Sequence, residues 1–231
     1  MSKELPRTSP GVRPLSDRSV GVRVTTVFSM DDESTGLAES GWTTLAREFV
    51  PLSHRNLPML RIYLPFRDED NAVVRWSAYV PVEEHSASLN WFEAADSVAD
   101  QHPAVRDLTS CMGELDQLTA DALRDAVGSI QLRCLRWTGY GETPDTDSTT
   151  RVFGLDFFAA ALTPDDLQPE RRVPEFAWDD NARLAWGGRL YPDSLIVAAE
   201  LPLFRQLRND PRLDTATVFP DRDVLPASSG D

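Results

Sequence analysis

The chain has 231 residues, 41% of them apolar and 26% charged, so it can bury a core of its own without disulfide or metal staples. Its net charge of -14 disfavours direct binding to nucleic acid phosphates, which needs basic side chains to displace condensed counterions. The longest purely apolar run, from Phe157 to Leu162, falls far short of the roughly 18 residues a membrane span requires.

Residues 1–19 carry Lys3, Arg7, Arg13 and Arg18 against Glu4 and Asp17, which leaves -16 on the remainder. They read as a flexible basic arm, residues 20–219 as one globular domain and residues 220–231 as a flexible acidic tail. Pro10 and Pro14 interrupt any signal-peptide stretch, so a cytoplasmic protein is expected, and the preference for arginine over lysine suggests a bacterial gene rich in G and C. Lys3 is the only lysine. Schiff-base chemistry and the lysine-dependent phosphate sites therefore have no amine in the packed body.

From Val20 the alternation of Val20, Val22 and Val24 with Gly21, Arg23 and Thr25 predicts a half-buried strand. Leu60, Ile62, Leu64 and Phe66 alternate again, and Val74, Trp76, Ala78, Val80 and Val82 resume the period after Asp68–Asn71. That pattern predicts a β-hairpin whose acidic turn is solvated and holds no metal, with Pro65 and Pro81 marking edge positions.

Ser88 is the expected N-cap of a helix carrying Leu89, Phe92, Ala95 and Val98 on one face and ending at His102-Pro103. A second helix is expected over 114–127, with Leu115, Leu118, Ala122 and Ala126 inward and Gly128 as its stop. Residues 129–137 and 152–161 read as strands flanking a polar loop, and Thr163-Pro164-Asp165-Asp166 as a single helical turn. Residues 183–190 and 195–200 form a strand pair around Tyr191–Ser194, followed by a short helix over 201–207. These elements make an α+β protein: a mostly antiparallel sheet of roughly six to eight strands, with two or three helices packed on one face.

Cys111 and Cys134 match no disulfide or zinc spacing and are expected to be free and buried, Cys134 beside Ile130 and Leu132 on a strand's apolar face. His54, His85 and His102 form no metal motif, and each reads as a surface or capping residue. Asp145–Thr149 begins like a calcium loop but lacks its glycine and its terminal glutamate, and Gly139-Tyr140-Gly141 lacks the third glycine of a dinucleotide turn. No cofactor or metal is expected. No GxSxG elbow is present, while triads assembled from residues distant in sequence leave no local signature.

If the chain is a small hydrolase or lyase, Asp156 in its apolar strand and Glu83-Glu84-His85 are the acid–base candidates. If it binds small molecules, Trp76, Trp137 and Trp186 would line an aromatic pocket. The leading expectation is a non-catalytic, acidic binding protein of immunity, inhibitor or adaptor type, taking another protein with a basic surface. Its anchors would come from Arg75, Trp76 and Tyr79, from the matching Arg136, Trp137 and Tyr140, and from Trp186. The five-residue echo of Arg75–Tyr79 in Arg136–Tyr140 reads as coincidence, because aromatic residues are common on strands.

Overall fold

A computed structural model describes Leu37 and residues 45–141 and 149–224. The arm 1–19, the strand expected from Val20, most of the polar loop over 139–149 and residues 225–231 lie outside the described residues.

Among the described residues eleven strands form two antiparallel sheets. In chain order they are β1 (Met59–Tyr63), β2 (Phe66–Arg67), β3 (Val73–Val74), β4 (Thr109–Ser110), β5 (Arg133–Trp137), β6 (Thr149–Val152), β7 (Leu155–Ala161), β8 (Phe176–Trp178), β9 (Leu184–Gly187), β10 (Ser194–Ala199) and β11 (Asp214–Val218). The eight-stranded sheet has the order β11-β1-β10-β9-β8-β5-β7-β6, and a small sheet has the order β3-β2-β4. The helices are α1 (Trp91–Val98), α2 (Gln117–Val127) and α3 (Leu201–Arg208). The architecture is α+β.

All five residues of β1 are buried because the large sheet is covered on both faces where β1 lies between β11 and β10. Leu60 and Ile62 face one core with their cross-strand partners Val197 and Leu195, under Ala122, Leu123 and Ala126 of α2 and Leu203 and Leu207 of α3. Met59 and Ala198 face the opposite core, which is packed with Phe49, Phe153, Phe157 and Phe176. Gly187 allows that second layer to close, since a Cβ there would lie 1.9 Å from the Phe49 carbonyl oxygen. Tyr63, Phe66, Trp76 and Trp91 gather in a third cluster with α1.

The expected long hairpin is much shorter than its alternation suggested. Only Phe66–Arg67 and Val73–Val74 pair, while β1 instead joins β10 and β11. Residues 76–78 and 82–84 form 3₁₀ turns because Trp76 packs against Tyr63, Phe66 and Trp91 and its indole N–H donates to Leu64 O at 2.9 Å. The strand expected over 152–161 is broken at Phe153-Gly154 into a hairpin of β6 and β7.

Helix α1 is capped by Asn90, whose side chain accepts the Phe92 N–H at 2.8 Å, and not by Ser88. Its buried face is Trp91, Ala94 and Ala95, which leaves Phe92 exposed. Helix α2 is capped by Asp116 and ends at Gly128, as its stop signal indicated, with Leu118 turned to solvent. The turn at Pro164 carries a reciprocal Thr163–Asp166 capping box.

Cys111 and Cys134 are buried free thiols, and burial pushes each up to about 12. His54 is a correction to the surface reading. It is fully buried, and its Nε2 lies 3.1 Å from Asp179 Oδ1 on the turn between β8 and β9.

Candidate functional site

Beside β8, the neighbouring strands β5 and β9 both run antiparallel to it, so the exits of β5 and β9 meet the entry to β8 at one end of the sheet. Three chain segments converge there: Arg136–Gly141, Arg172–Glu175 and Gly188–Asp193. Glu175 stands at their centre and is fully buried. Its Oε2 accepts the Trp137 backbone N–H at 3.0 Å, and its Oε1 accepts the Tyr140 phenol proton. Its own carbonyl accepts the Gly188 N–H at 2.7 Å. One carboxylate thereby ties the turn after β5 to the entry of β8.

The phenol oxygen of Tyr140 in turn accepts the Tyr191 N–H at 3.2 Å. Arg136 closes the base by donating to Arg172 O at 2.8 Å and to Asp166 Oδ1 at 2.7 Å. Above this base, Trp137, Tyr140 and Tyr191 pack edge-to-face in a triangle with ring centroids 5.2, 5.9 and 5.3 Å apart. The Arg172 guanidinium lies 4.2 Å from the Tyr140 ring and 5.4 Å from that of Tyr191, and its Nε donates to Met112 O at 2.9 Å. Gly139 permits the tight turn, because a Cβ there would stand 2.3 Å from the Trp137 ring.

Tyr191 and Met112 are 44% and 53% exposed and hold left-handed φ values of 50° and 52°. Such a conformation disfavours a residue with a side chain, so the surrounding contacts hold two apolar side chains outward against that local preference.

Burial raises the Glu175 carboxyl above its ordinary value, opposed by the hydrogen bonds from Tyr140 and Trp137. Burial and the adjacent Glu175 charge raise the Tyr140 phenol, so the proton between them stays on tyrosine. Both Glu175 oxygens are occupied and sealed from solvent, so Glu175 serves as an anchor and not as an acid or base toward a substrate. The mutually perpendicular rings touch each other and leave no cage between them, and Arg172 already supplies the cation. What reaches solvent is a preorganised patch of aromatic, arginine and methionine side chains, the composition enriched where proteins bind one another.

Of the expected anchors, Arg136, Trp137 and Tyr140 belong to this site. Trp76 and Tyr79 lie in the third cluster, while the Arg75 side chain donates to Arg212 O and faces Asp116. The strands beneath the two turns, β1 and β5, are separated by four strand spacings, roughly 19 Å at about 4.8 Å each. Trp76 and Trp186 are fully buried, the latter donating to Pro174 O at 3.0 Å, so both work inside the protein and not at a surface. Trp76, Trp137 and Trp186 fall in separate hydrophobic clusters and line no common pocket.

The acid–base candidates do not converge. Asp156 is exposed on β7 opposite Arg151, whereas the His85 ring lies 5.5 Å from Tyr63 on β1, five strand spacings or roughly 24 Å across the sheet. Glu83 and Glu84 are exposed on the turn before His85. Among the described residues no group of three His, Cys, Asp or Glu side chains is placed to hold a metal ion, and no helix is long and apolar enough to cross a membrane.

Sequence reading missed Arg172, Glu175 and Tyr191. A carboxylate in the apolar run Val173-Pro174-Glu175-Phe176-Ala177-Trp178 is the signal that could have found Glu175, by the argument applied to Asp156. No protein-family model, curated protein or solved structure matches the chain.

Proposed function

We propose that the chain is a binding protein that docks another protein through the Trp137–Tyr140–Tyr191–Arg172 patch. The observation that carries this reading is the sealed Glu175 anchor beneath it, which holds the Trp137 backbone and the Tyr140 phenol in place before any partner arrives. Preorganised aromatic and arginine side chains lose little entropy on docking, and such residues dominate measured interface energies. The net charge of -14 favours a partner with a basic surface, through steering and complementarity around the patch.

Affinity capture from the native host, with salt-graded elution and an equally acidic control protein, tests the proposal. The expected result is one basic partner that elutes as salt rises, is retained by a Phe92→Ser variant and is lost by Tyr191→Ser and Trp137→Ser variants. Capture unaffected by both patch substitutions would remove the patch from the interface, and recovery of the chain alone at low salt would remove the binding reading.

A further inference from the structure

The chain between Val80 and Trp91 is fastened to the protein mainly by polar clasps. Val80 and Trp91 are buried, whereas none of residues 81–90 is, and Ala87 and Leu89 are only partly covered. The Tyr63 phenol donates to Ser86 O, Arg61 Nη1 donates to Ala87 O at 2.7 Å, and His85 Nε2 lies 3.2 Å from Val80 O. Tyr63 and Arg61 belong to β1 and are themselves sealed from solvent. A segment held this way stands at the low end of local stability, because opening it gives up little buried apolar surface of its own.

The tautomer of His85 follows from its partner. A carbonyl oxygen only accepts, so Nε2 carries the ring proton and Nδ1 presents a lone pair. Nδ1 is buried and, among the described residues, has no hydrogen-bond partner, with the Tyr63 ring 5.5 Å from the imidazole. A neutral ring leaves one acceptor unused there. An imidazolium is far less tolerable, because its new N–H would be a buried, charged donor without an acceptor. Burial is the largest influence on the ring and holds it below its ordinary value of 6.5. Asp214 on β11, the Val80 carbonyl and Glu83 on the preceding turn favour the charged form without overcoming burial, and Arg208 at the end of α3 opposes it. The Arg61 cation lies on β1, 4.8 Å from the centre of the same Tyr63 ring.

We propose that His85 is an acid-sensitive latch: a proton taken up at Nδ1 frees residues 81–90 from β1 and uncovers Tyr63 while the sheet stays folded. A released imidazole titrates near 6.5, and the ring in the closed segment titrates lower. Above 6.5 neither form is charged and the latch holds. Below 6.5 the open form binds a proton that the closed form refuses, so closing weakens by up to about tenfold per pH unit until the folded value is passed.

Hydrogen exchange followed by NMR from about pH 7.5 to about pH 5, with each rate divided by its intrinsic value at that pH, tests the latch. The reporters are the Glu84 and His85 amides, which donate to Pro81 O at 2.9 Å and Val82 O at 3.2 Å. Their protection should fall by up to about 10-fold per pH unit below 6.5, while that of the β1 amides should not. His85→Gln keeps an amide donor for Val80 O and gains no charge, so its protection should stay level across the range. Ring ¹⁵N shifts of the native chain supply a readout that no variant can spoil: the Nε2–H tautomer at neutral pH and a titration midpoint below 6.5. A midpoint at or above 6.5, level protection in the native chain, an equal fall in His85→Gln, or a parallel loss across β1 would each overturn the latch.

Discussion

Two turns in this protein share the pattern Arg-Trp-x-x-Tyr and have opposite fates. Both are 3₁₀ turns, Trp76–Ala78 and Thr138–Tyr140. In both, the leading arginine donates to the carbonyl of another arginine, Arg75 to Arg212 and Arg136 to Arg172, and in both it faces a carboxylate at a helical N-terminus, Asp116 or Asp166. Around Trp76 the rings of Tyr63, Phe66 and Trp91 pack against the indole and no part of it is exposed, so its ring is spent on the core. Around Trp137 the neighbour beneath is Glu175, which holds the backbone and phenol but leaves the outer ring faces uncovered. Local sequence sets the turn, and the surroundings decide whether its aromatic residues stabilise the fold or face a partner.

The largest effect should come from the buried member. Trp76→Ala should cost about 3–5 kcal/mol in denaturant unfolding, the range for deleting a large core aromatic residue. Trp137→Ala should cost under about 2 kcal/mol and act mainly on binding. Equal costs for the two would break the comparison.

Glu175→Ala should come next. It strands the Trp137 N–H and the Tyr140 hydroxyl, at about 1–3 kcal/mol for each buried donor left without an acceptor. Hydrogen exchange at the Trp137 amide should quicken in this variant while exchange in β1 changes only with global stability. A smaller effect on the fold is expected from Tyr191→Ala. With its side chain 44% exposed, it should shift stability by less than about 1 kcal/mol yet weaken partner binding by about 30-fold, as loss of an interface anchor does.

These contrasts also show why one turn was legible and the other was not. The elements set by local rules stand close to where periodicity and caps put them: the stop of α2 at Gly128, the capping box at Thr163, and the pairing of β9 with β10. Residues 76–82 alternate like a strand, but Trp76 and Tyr79 join the third cluster while Ala78 and Val82 are exposed, and alternation carries no information on which layer receives a side chain. The face of α1 was misjudged for a related reason, since Trp91 outweighs Phe92 once three aromatic partners are available. Arg136, Trp137 and Tyr140 could be picked out from the echo. Their supports Arg172, Glu175 and Tyr191 come from segments about 30–50 residues away, joined only by strand order, which a single sequence does not display.

The finest test of the comparison is the pH dependence of Glu175, which accepts both a turn N–H and a phenol proton, whereas the buried carboxylate at the other turn, Asp214, accepts the Ser77 N–H at 3.3 Å. The folded value of Glu175 is raised above the ordinary 4.5, chiefly by burial, so the folded chain keeps this proton to a higher pH than the unfolded chain does. Between 4.5 and the raised folded value, the unfolded state therefore binds fewer protons, and the contribution of this group to stability falls as pH rises, then levels off. Glu175→Gln removes the titration while retaining a carbonyl oxygen for the Trp137 N–H and an amide that can donate to the Tyr140 oxygen. Unfolding free energies of wild type and Glu175→Gln, measured from pH 4 to pH 8, should converge at the acid end and separate in favour of the variant toward neutrality. A difference that stays flat across that range would mean that Glu175 is solvated in the folded chain, and the patch would then rest on a wet, yielding base in place of a sealed one.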